Sequence, residues 1–544
     1  MLVPHLNTLS SLSRDSLVGA FLSVDMSSTH NGSSAGISKA WFSYPTELPQ
    51  STDPLAAFPE FRILSDPAFH RDLTSELRSK VLLAAAQALK TDNSAIFLVG
   101  GRSWDFELYD SDTDKCEFRQ EMFFRYLFPV NEPDVCAALD LTTGESLLFV
   151  PEVTDDSQRW NGERRPLSYY TEHYGLSQTY LTNDIHSILQ ERHIKTLYVL
   201  YGQNSDSGLF TKTTIESIGL PADTYTLETT LLHPLLSELR VFKTEREIEI
   251  MRLGNAISSQ AHVYVMTHIK AGMTEIHAEA LFKSYCQYYG GCRHMAYTCI
   301  CGSGSNGSIL HYGHAGRPND RILKDGDTVV FDMGGEYAGY ASDITRSYPI
   351  NGKFTEDQAA IHTAVYEAQQ AVLHAMKPGV SWSDMHRLAE QVIITHLIQI
   401  GVLYQGTIEE MIHAHMGAVF MPHGLGHLLG LNVHDVGGYH PGTQRSKEPG
   451  LCWLRLGRRL EAGMCLTIEP GIYFNDPTIN KALKNPSQGK YINEEVLKRF
   501  RGSGGCRLED NVIVTKDGAE NLTVIPATVA DIEEMMARAK KQHS

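Results

Sequence analysis

The chain of 544 residues has few of the features that mark membrane proteins or nucleic-acid binders. No uninterrupted apolar run reaches the ~18 to 20 residues that a membrane-spanning helix requires. Positive charge is scarce, since 47 Lys and Arg stand against 64 Asp and Glu, a formal charge of -17. Nucleic acid and anionic membranes both call for basic patches. We therefore expect a soluble protein with no nucleic-acid partner and no membrane partner.

Cysteine is also scarce and irregularly placed. The nine cysteines are odd in number, and the closest pair, Cys299 and Cys301, has a C-x-C spacing. Zinc knuckles and dithiol redox sites use C-x-x-C instead. A reduced, cytoplasmic chain fits this usage best.

Residues 1–58 are rich in Ser, Thr, Asn and Gly and carry few charges, which predicts a flexible N-terminal extension without a packed core. The opening segment has an apolar character, but it contains only one arginine, an early proline and an aspartate. It is therefore a weak transit peptide and a weaker secretory signal, because it lacks a basic start and an unbroken apolar core. Its role stays open.

Residues 59–230 predict a first, smaller α/β domain, because helical periodicity alternates with short apolar strands. The helices are predicted at 75–90 and 177–192, and the strands near 94–101, 133–141, 146–152 and 196–202. A proline-marked connector follows at 231–240. The rest divides into a second domain at 241–530, which opens with helices, and a C-terminal tail at 531–544.

The segment 328–347 predicts a β-hairpin, with β-branched and alternating strands around a glycine-rich turn. A turn centred between Tyr337 and Ala338 would place Asp332 directly across from Asp343. Facing Cβ atoms lie ~4.5 to 5.5 Å apart, so two carboxylates there should repel by roughly 3 kcal/mol at an effective dielectric of ~20. Such a pair favours a bound cation. The hairpin alone leaves open a solvated turn whose carboxylates point into water.

Three histidines follow in the second domain, at positions 423, 427 and 434. His423 and His427 have the i, i+4 spacing of a helical metal pair, but no glutamate lies between them as in H-E-x-x-H, and Gly424 and Gly426 weaken a helix. We expect one of the three to be a ligand and the others to act differently.

Two apolar, strand-like segments each carry a glutamate, Glu469 in CLTIEPGIYF and Glu509 in CRLEDNVIVT. A glutamate in a hydrophobic strand is costly unless it is ionised against a partner. Together with the hairpin aspartates and one histidine they form an oxygen-rich set. Such a set suits paired Mn, Co or Zn better than a lone structural zinc, which prefers Cys and His.

The order and spacing of four motifs now carry a resemblance: FDMGGEYAGYASDITR, HGLGHLLGLNVHDVGG, TIEPGIYF and RLEDNVIVT. They resemble those of the prolidases (Xaa-Pro dipeptidases), in the metallopeptidase family that includes aminopeptidase P and methionine aminopeptidase. The resemblance runs from about residue 60 to about 530. It implies an α+β protein, with a C-terminal pita-bread catalytic domain after a smaller α/β creatinase-type N-terminal domain. It also implies a homodimer.

The resemblance implies a site with two divalent ions, expected to be Mn²⁺, with Co²⁺ or Zn²⁺ as alternatives. The implied metal ligands are Asp332, Asp343, His427, Glu469 and Glu509. Asp343 and Glu509 would bridge both ions. Paired cations lower the pKa of a water molecule towards neutrality, which suits hydrolysis of the imide bond in a dipeptide ending in proline.

By the same resemblance, His311 and His434 would donate to the developing oxyanion, and Glu469 would carry a proton to the leaving nitrogen. From the residues alone, His311 reads as an exposed loop residue, and His434 before Asp435 as a structural pair. These catalytic roles therefore depend on the resemblance.

Substrate binding is expected at Tyr297, Arg455 and Arg507, besides His311 and His434. Arg455 matches the family's position for reading a free C-terminal carboxylate, which a guanidinium fork binds bidentately. Without the resemblance it belongs to a solvated basic loop. Arg507, two residues before Glu509, would orient ligands or substrate.

Two other functions remain open from sequence. One is an aminopeptidase P that acts on longer Xaa-Pro peptides, which a carboxylate-reading Arg455 disfavours. The other is a non-catalytic peptide- or histone-binding module with the same fold. Such a module would lose metal ligands, and here every ligand position holds the expected residue type.

Overall fold

The computed structural model describes residues 58, 64–103, 117–205, 208–213, 219–221, 223–313 and 318–543. The extension predicted at 1–58 lies outside this part of the chain, apart from Phe58, which is buried. The described residues form an α+β structure, as predicted.

The strands of the N-terminal half are short, and most of them form one mixed sheet. They are β1 (Ser94–Val99), β2 (Cys136–Asp140), β3 (Ser146–Val150), β4 (Gln178–Leu181), β5 (Thr196–Tyr198), β6 (Tyr201–Gln203), β7 (Phe210–Lys212) and β8 (Thr226–Glu228). The sheet order is β4-β3-β2-β1-β5-β8, while β6 and β7 pair separately. The apolar β1 to β3 stretches are buried on both faces because helices cover the sheet.

The helices of this half are α1 (Pro67–Ala88), α2 (Met122–Leu127), α3 (Asp155–Asn161), α4 (Leu167–Tyr174) and α5 (Ile185–Glu191). The helix predicted at 177–192 is wrong in its first part, because 178–181 forms β4 and pairs with β3 in parallel. The predicted helical periodicity holds only from Ile185, where one face packs on the sheet.

The segment predicted as a connector at 231–240 is instead α6 (Leu232–Val241). Pro234 lies in the first turn, where a helix tolerates a missing N–H donor. Leu232, Leu236 and Leu239 are buried on one face, so the segment packs as a core element. The proline misled the prediction because it was taken to mark a linker.

The remaining helices belong to the C-terminal half. They are α7 (Glu245–His268), α8 (Glu275–Tyr288), α9 (Glu356–Ala375), α10 (Trp382–Gln399), α11 (Ile408–His413), α12 (Gly417–Phe420), α13 (Asp476–Lys484), α14 (Pro486–Gly489), α15 (Glu494–Leu497) and α16 (Val529–His543). The segment 531–544, predicted as a tail, lies mostly within α16. Ile532 and Met536 of that helix are buried, so it is packed rather than loose.

The strands of this half form several small sheets. They are β9 (His294–Met295), β10 (Ile300–Ser303), β11 (Thr328–Asp332), β12 (Gly335–Tyr337), β13 (Tyr340–Ala341), β14 (Thr345–Pro349), β15 (Cys465–Ile468), β16 (Gly471–Tyr473), β17 (Gly505–Arg507), β18 (Asp510–Val514) and β19 (Ala519–Asn521). The orders are β10-β11-β14, β13-β12-β9, β15-β18-β19 and β16-β17. A bridge between Thr345 and Glu509 joins the first of these sheets to the third.

The predicted hairpin is present, but its predicted register is wrong by two residues. Asp332 pairs with Thr345 and not with Asp343. The turn is centred between Ala338 and Gly339, whose φ angles of 50° and 88° are those of a tight two-residue turn. Asp332 and Asp343 still lie on the same face of the sheet, now as diagonal neighbours. Residues in such diagonal positions are ~7 to 8 Å apart.

The segment 119–128, RQEMFFRYLF, is mostly buried, although Arg119 at its start is exposed. Glu121 caps α2 by accepting a hydrogen bond of 2.7 Å from the Phe124 backbone. Arg119 forms an ion pair with Glu336 of β12, so this segment holds the N-terminal half against the hairpin. Among the helices within the described ranges, none is both long and apolar enough to cross a membrane.

Candidate metal centre

The four predicted carboxylate ligands lie at the ends of strands. Asp332 ends β11 and Glu509 directly precedes β18, while Glu469 directly follows β15. Asp343 lies between β13 and β14, where its backbone N–H donates a 2.8 Å hydrogen bond to Asn511. Strand ends therefore deliver all four side chains to one region of the fold.

His427 reaches the same region from the loop after α12. Its backbone N–H donates to the Thr467 hydroxyl at 3.1 Å, and its carbonyl accepts from the Thr467 backbone at 2.9 Å. No helix forms at 423–427, so the i, i+4 spacing of His423 and His427 does not reflect a helical pair. Strand β15 fixes the histidine instead.

Three of these side chains come together tightly. Asp343, His427 and Glu509 each offer one ligand atom, and these atoms lie within 4.8 Å of one another. The Nε2 atom of His427 is 3.3 Å from an Asp343 oxygen and 3.6 Å from a Glu469 oxygen. Asp332 interacts electrostatically with Asp343 and Glu509, and so belongs to the same cluster.

The imidazole of His427 is oriented for metal binding. Its Nδ1 atom lies 3.0 Å from the Leu428 carbonyl, which can only accept, so Nδ1 carries a proton. The Nε2 atom therefore points at the carboxylates. Metal-ligating histidines usually donate their second ring N–H to a carbonyl or carboxylate in this way.

Burial makes the cluster electrostatically strained. It raises the pKa of Asp332 to about 6 and that of Glu469 to about 7. Burial and the charges of Asp343, Glu469 and Asp332 raise the pKa of Glu509 well above its usual value. Asp343 differs, because hydrogen bonding and charge from His427 outweigh burial and lower its pKa. A divalent cation would relieve this repulsion, so the residues fit a metal site.

Arg507 supports the cluster from behind. It is buried and forms an ion pair with Asp332. Its Nε atom donates a 3.0 Å hydrogen bond to the Thr345 hydroxyl, and its Nη1 atom donates a 2.8 Å hydrogen bond to the Tyr473 hydroxyl. Thr345 in turn donates a 2.7 Å hydrogen bond to Glu509. Because protein groups occupy all three guanidinium nitrogens, Arg507 is built to orient ligands.

Tyr297 is similarly committed to a ligand, since its hydroxyl donates to Asp332. Burial and nearby carboxylates raise its pKa well above the usual value, so it stays protonated as a donor. Asn511 accepts from the backbone of Asp343 and donates to its carbonyl. Asp332 and Asp343 are thus both fixed by neighbouring polar groups.

His434 lies against the cluster. Its ring meets that of His427 edge-on, with centroids 4.4 Å apart. Burial, followed by the charges of His427 and Arg455, lowers the pKa of His434 to about 2, which keeps the ring neutral. The charge of His311 acts on it in the same direction. The structure therefore brings His311 and Arg455 within electrostatic range of His434, with His311 exposed and Arg455 half-buried.

A buried carboxylate supports the loop that carries His311. Glu275 accepts hydrogen bonds from the backbone and hydroxyl of Ser303, at 2.8 and 2.6 Å, and from the Tyr312 hydroxyl at 2.6 Å. Asn306 also donates to Glu275. The loop is thereby anchored on both sides of its tip.

Four residues of the site were not singled out by sequence reasoning: Thr345, Thr467, Tyr473 and Asn511. His423, which was named without a role, accepts from the Tyr473 hydroxyl at 3.0 Å through Nε2, because its Nδ1 lies 2.7 Å from the Gly424 carbonyl. Burial lowers its pKa to about 3. For Thr345, Thr467 and Asn511 the available signal was a polar residue two positions from a predicted ligand, whereas Tyr473 gave no such signal.

Comparison with known proteins connects this geometry to a family. The model of metallopeptidase family M24 matches residues 249–516, and that of the aminopeptidase P N-terminal domain matches 77–198. The Xaa-Pro dipeptidase of Mus musculus is 49% identical over 82% of this chain and 90% of its own length. The chain belongs to metallopeptidase family M24.

Two further proteins extend the comparison. The Xaa-Pro dipeptidase of Homo sapiens is 48% identical over 82% of this chain and 90% of its own. The solved structure of Pseudomonas aeruginosa aminopeptidase PepP is 31% identical, has a TM-score of 0.70, and covers 87% of this chain and 99% of its own. The predicted fold class is confirmed: an aminopeptidase P-type N-terminal domain precedes a pita-bread catalytic domain. A member of this family is a peptidase that binds divalent metal.

Proposed function

We propose that this chain is an Xaa-Pro dipeptidase, which hydrolyses the imide bond of dipeptides with a C-terminal proline. One observation carries the proposal: a buried cluster of carboxylates and one imidazole lies in a chain 49% identical to an Xaa-Pro dipeptidase over 90% of that protein. Xaa-Pro dipeptides are accordingly the proposed substrate.

The proposed metal ligands are the five predicted residues, Asp332, Asp343, His427, Glu469 and Glu509. The closeness of Asp343, His427 and Glu509 supports their holding a metal ion together. The bridging of two ions by Asp343 and Glu509 would follow from the family resemblance. When bound, the two cations lower the pKa of a water molecule and polarise the scissile carbonyl. Manganese is proposed because hard oxygen donors outnumber nitrogen, although cobalt and zinc accept the same set.

The chain's own residues would then move protons and stabilise charge. Glu469 is the proposed group that carries a proton to the leaving nitrogen, as the family resemblance implies. In the metal-free protein burial raises its pKa to about 7. His434 stays neutral, and the one N–H of its ring would donate a hydrogen bond to developing negative charge. His311, exposed on the anchored loop, is the second proposed donor.

Specificity would come from Arg455. A dipeptide presents its C-terminal carboxylate one residue from the scissile bond, and the charge of Arg455 is felt at His434, beside the cluster. A guanidinium there binds that carboxylate and penalises a longer chain. Tyr297 and Arg507 would assist indirectly, by orienting Asp332, rather than through direct substrate contacts.

The test is hydrolysis by metal-reconstituted protein of Gly-Pro and of a tripeptide with proline second. We expect Gly-Pro to be cleaved with the higher kcat/KM. Asp343→Asn should lose activity and bound metal, while Asp325→Asn, an exposed matched control, should keep both. Cleavage of the longer peptide alone would reject the dipeptidase assignment.

The second candidate is an aminopeptidase that acts on longer Xaa-Pro peptides. The 0.70 TM-score to aminopeptidase PepP favours it, but identity to that protein is 31% against 49% for the dipeptidase. The same peptide pair decides between the two. A non-catalytic binding module is disfavoured because each predicted ligand position holds a residue able to bind metal.

Assembly and location complete the proposal. We infer a cytoplasmic homodimer: the dimer rests on the family resemblance, and the location is supported by the free state of eight cysteines in the described ranges. Sedimentation at micromolar concentration should give the mass of two chains. A strict monomer would contradict the dimer.

A further inference from the structure

Arg455 lies in the loop formed by residues 439–456. The Gly457 N–H closes this loop through a 2.9 Å hydrogen bond to the Gly438 carbonyl. A short helical turn, Leu451–Trp453, lies just before Arg455 in the chain. The position of the guanidinium therefore depends on what this turn rests on.

The turn packs against helix α10. Leu451 and Leu454 are buried in the same apolar cluster as Met385 and Ala389 of that helix. Gly450, directly before the turn, has a φ of 83°, in the left-handed region that favours glycine. The chain thus enters the turn through a residue whose conformation suits glycine.

A buried ionic group of α10 lies at this contact. His386 and Glu390 are 0% and 1% exposed, and the Nε2 atom of His386 is 3.5 Å from Oε1 of Glu390. Arg387 donates a 2.6 Å hydrogen bond to Oε2 of Glu390 and forms a second ion pair with Glu448 of the loop. Burial favours the neutral acid, but His386 and Arg387 outweigh it and lower the pKa of Glu390, so the carboxylate is ionised at neutral pH.

The backbone of the loop rests directly on this group. A Cβ atom at Gly450 would lie 3.2 Å from Nε2 of His386 and 3.3 Å from Oε1 of Glu390. A Cβ atom at Gly417, the first residue of α12, would lie 2.6 Å from the same carboxylate oxygen. One oxygen of Glu390 is therefore packed against the backbone of two segments, α12 and the loop.

We propose that Glu390 is a positioning residue for Arg455: with His386 and Arg387 it holds the loop 439–456 where the guanidinium meets the C-terminal carboxylate of the substrate. The inference rests on the proposed dipeptidase function and adds a residue that sets its specificity. An ionised carboxylate is costly to bury, and an apolar side chain would fill this space without desolvating a charge. The charge gives the loop a directed attachment, through Arg387 to Glu448.

Metal binding should not depend on Glu390. His427, which follows α12, is held by two hydrogen bonds to Thr467 of β15. Loss of the Glu390 charge should therefore affect the contact between Arg455 and the substrate carboxylate. A purely structural role would instead lower kcat and metal binding together.

Glu390→Gln keeps the shape of the side chain and removes its charge. In the full-length, manganese-loaded protein we expect KM for Gly-Pro to rise about five- to tenfold and kcat to change less than about twofold, because ground-state binding of the carboxylate is weakened. The Ki of Gly-Pro amide, which lacks the carboxylate, should stay the same. Asp384→Asn, at an exposed position of the same helix, should change neither constant.

Gly450→Ala tests the same contact from the loop and leaves the ionic group intact. Its methyl group would press on His386 and Glu390, so KM for Gly-Pro should rise again. Gly442→Ala is the matched control, because Gly442 has a φ of 81° in the same loop, but no described atom lies within 4 Å of its Cβ position. Gly450→Ala decides the matter if Glu390→Gln does not fold.

A double variant shows whether Glu390 acts through Arg455. Adding Glu390→Gln to Arg455→Ala should leave KM for Gly-Pro unchanged, since both substitutions remove the same interaction. Additive effects, an equal rise in the Ki of the amide, a loss of kcat at constant KM, or an unchanged KM in both Glu390→Gln and Gly450→Ala would each overturn the proposal. Failure of the unaltered protein to hydrolyse Gly-Pro would overturn the proposed function, and this inference with it, before any variant is compared.

Discussion

Arg240 of α6 donates a 2.7 Å hydrogen bond to Asp435, the residue after His434, and both side chains are almost fully buried. Lys243 donates to the other Asp435 oxygen at 3.0 Å. The two cations lower the pKa of Asp435 against the effect of burial. Helix α6, which connects the two halves, thereby fixes the loop that places His434 beside the carboxylate cluster.

Replacing Asp435 should be strongly destabilising. Asp435→Leu would leave Arg240 and Lys243 buried without their anion, which costs about 3–5 kcal/mol in comparable buried pairs. Urea unfolding measures the change. The ion pair of exposed Lys353 with half-buried Glu533 provides the control, because Lys353→Ala should cost less than about 1 kcal/mol. Equal effects from the two variants would contradict this interpretation.

Arg507→Met should weaken metal binding more than it weakens folding. Asp332 would lose its ion pair and Thr345 its Nε donor, so two ligand carboxylates would lose support. We expect Mn²⁺ affinity to fall about 10- to 100-fold by calorimetry. Arg501→Met removes a surface pair with Asp476 and should leave affinity unchanged. Unchanged affinity in both variants would remove Arg507 from the site.

The metal-free protein should lose stability as pH rises from about 4 to about 7, and the loss should level off above that range. Asp332 and Glu469 have pKa values of about 6 and 7, above the ordinary 3.8 and 4.5, so the native state holds protons that the unfolded chain has released. The free energy of unfolding then falls with rising pH, on the order of 2–3 kcal/mol for each carboxyl.

Urea unfolding of chelator-treated protein between pH 4.5 and 8 measures this fall. Asp332→Asn combined with Glu469→Gln removes both titrating groups, and its profile should be flatter than that of the unaltered chain. Profiles with the same slope would show that other groups cause the pH dependence.

Arg455→Ala should raise the KM for Gly-Pro about 10- to 100-fold, because a charged hydrogen bond to the substrate carboxylate contributes roughly 1.5–3 kcal/mol. KM for a longer peptide should change little. Arg445→Ala, in the same basic loop, is the matched control. If the two variants have equal KM values for Gly-Pro, Arg455 does not bind the substrate carboxylate.

Ala338→Asn should stabilise the hairpin by about 0.5–1 kcal/mol. Ala338 adopts a φ of 50°, in the left-handed region that asparagine tolerates better, and Asn-Gly is the preferred pair for a tight turn of this kind. Ala338→Val should be destabilising, since a β-branched residue fits this region poorly. Thermal unfolding compares the two. The two substitutions should change the melting temperature in opposite directions, and a stabilising effect of valine would refute the prediction.

The type of most elements could be predicted from sequence because their periodicity agrees with their packing. The helix predicted at 75–90 is an example, because it lies largely within α1 and its buried face carries Leu77, Val81 and Ala84. The register of the central hairpin could not be predicted. It depends on a positive φ at Ala338, and alanine carries no turn signal, so the glycines alone suggested a centre one residue too early.

The site divides in the same way. Glu469 and Glu509 could be found because a carboxylate in an apolar strand demands a partner. Tyr473 could not, since a tyrosine in such a strand reads as core, and its hydroxyl contacts with Arg507 and His423 arise only when distant loops meet. The contacts of Arg507 with Thr345 and Tyr473 likewise depend on segments that are distant in the sequence.

The packing of α6 also bears on where one folding unit ends and the next begins. Opening either half alone would separate Arg240 from Asp435 and leave a charge without its counterion in an apolar environment. Partial unfolding is thus penalised relative to complete unfolding. We expect the regions 77–198 and 249–516, which match two different family models, to unfold in one thermal transition. The segment between them should resist limited proteolysis. The two regions would then form a single cooperative unit.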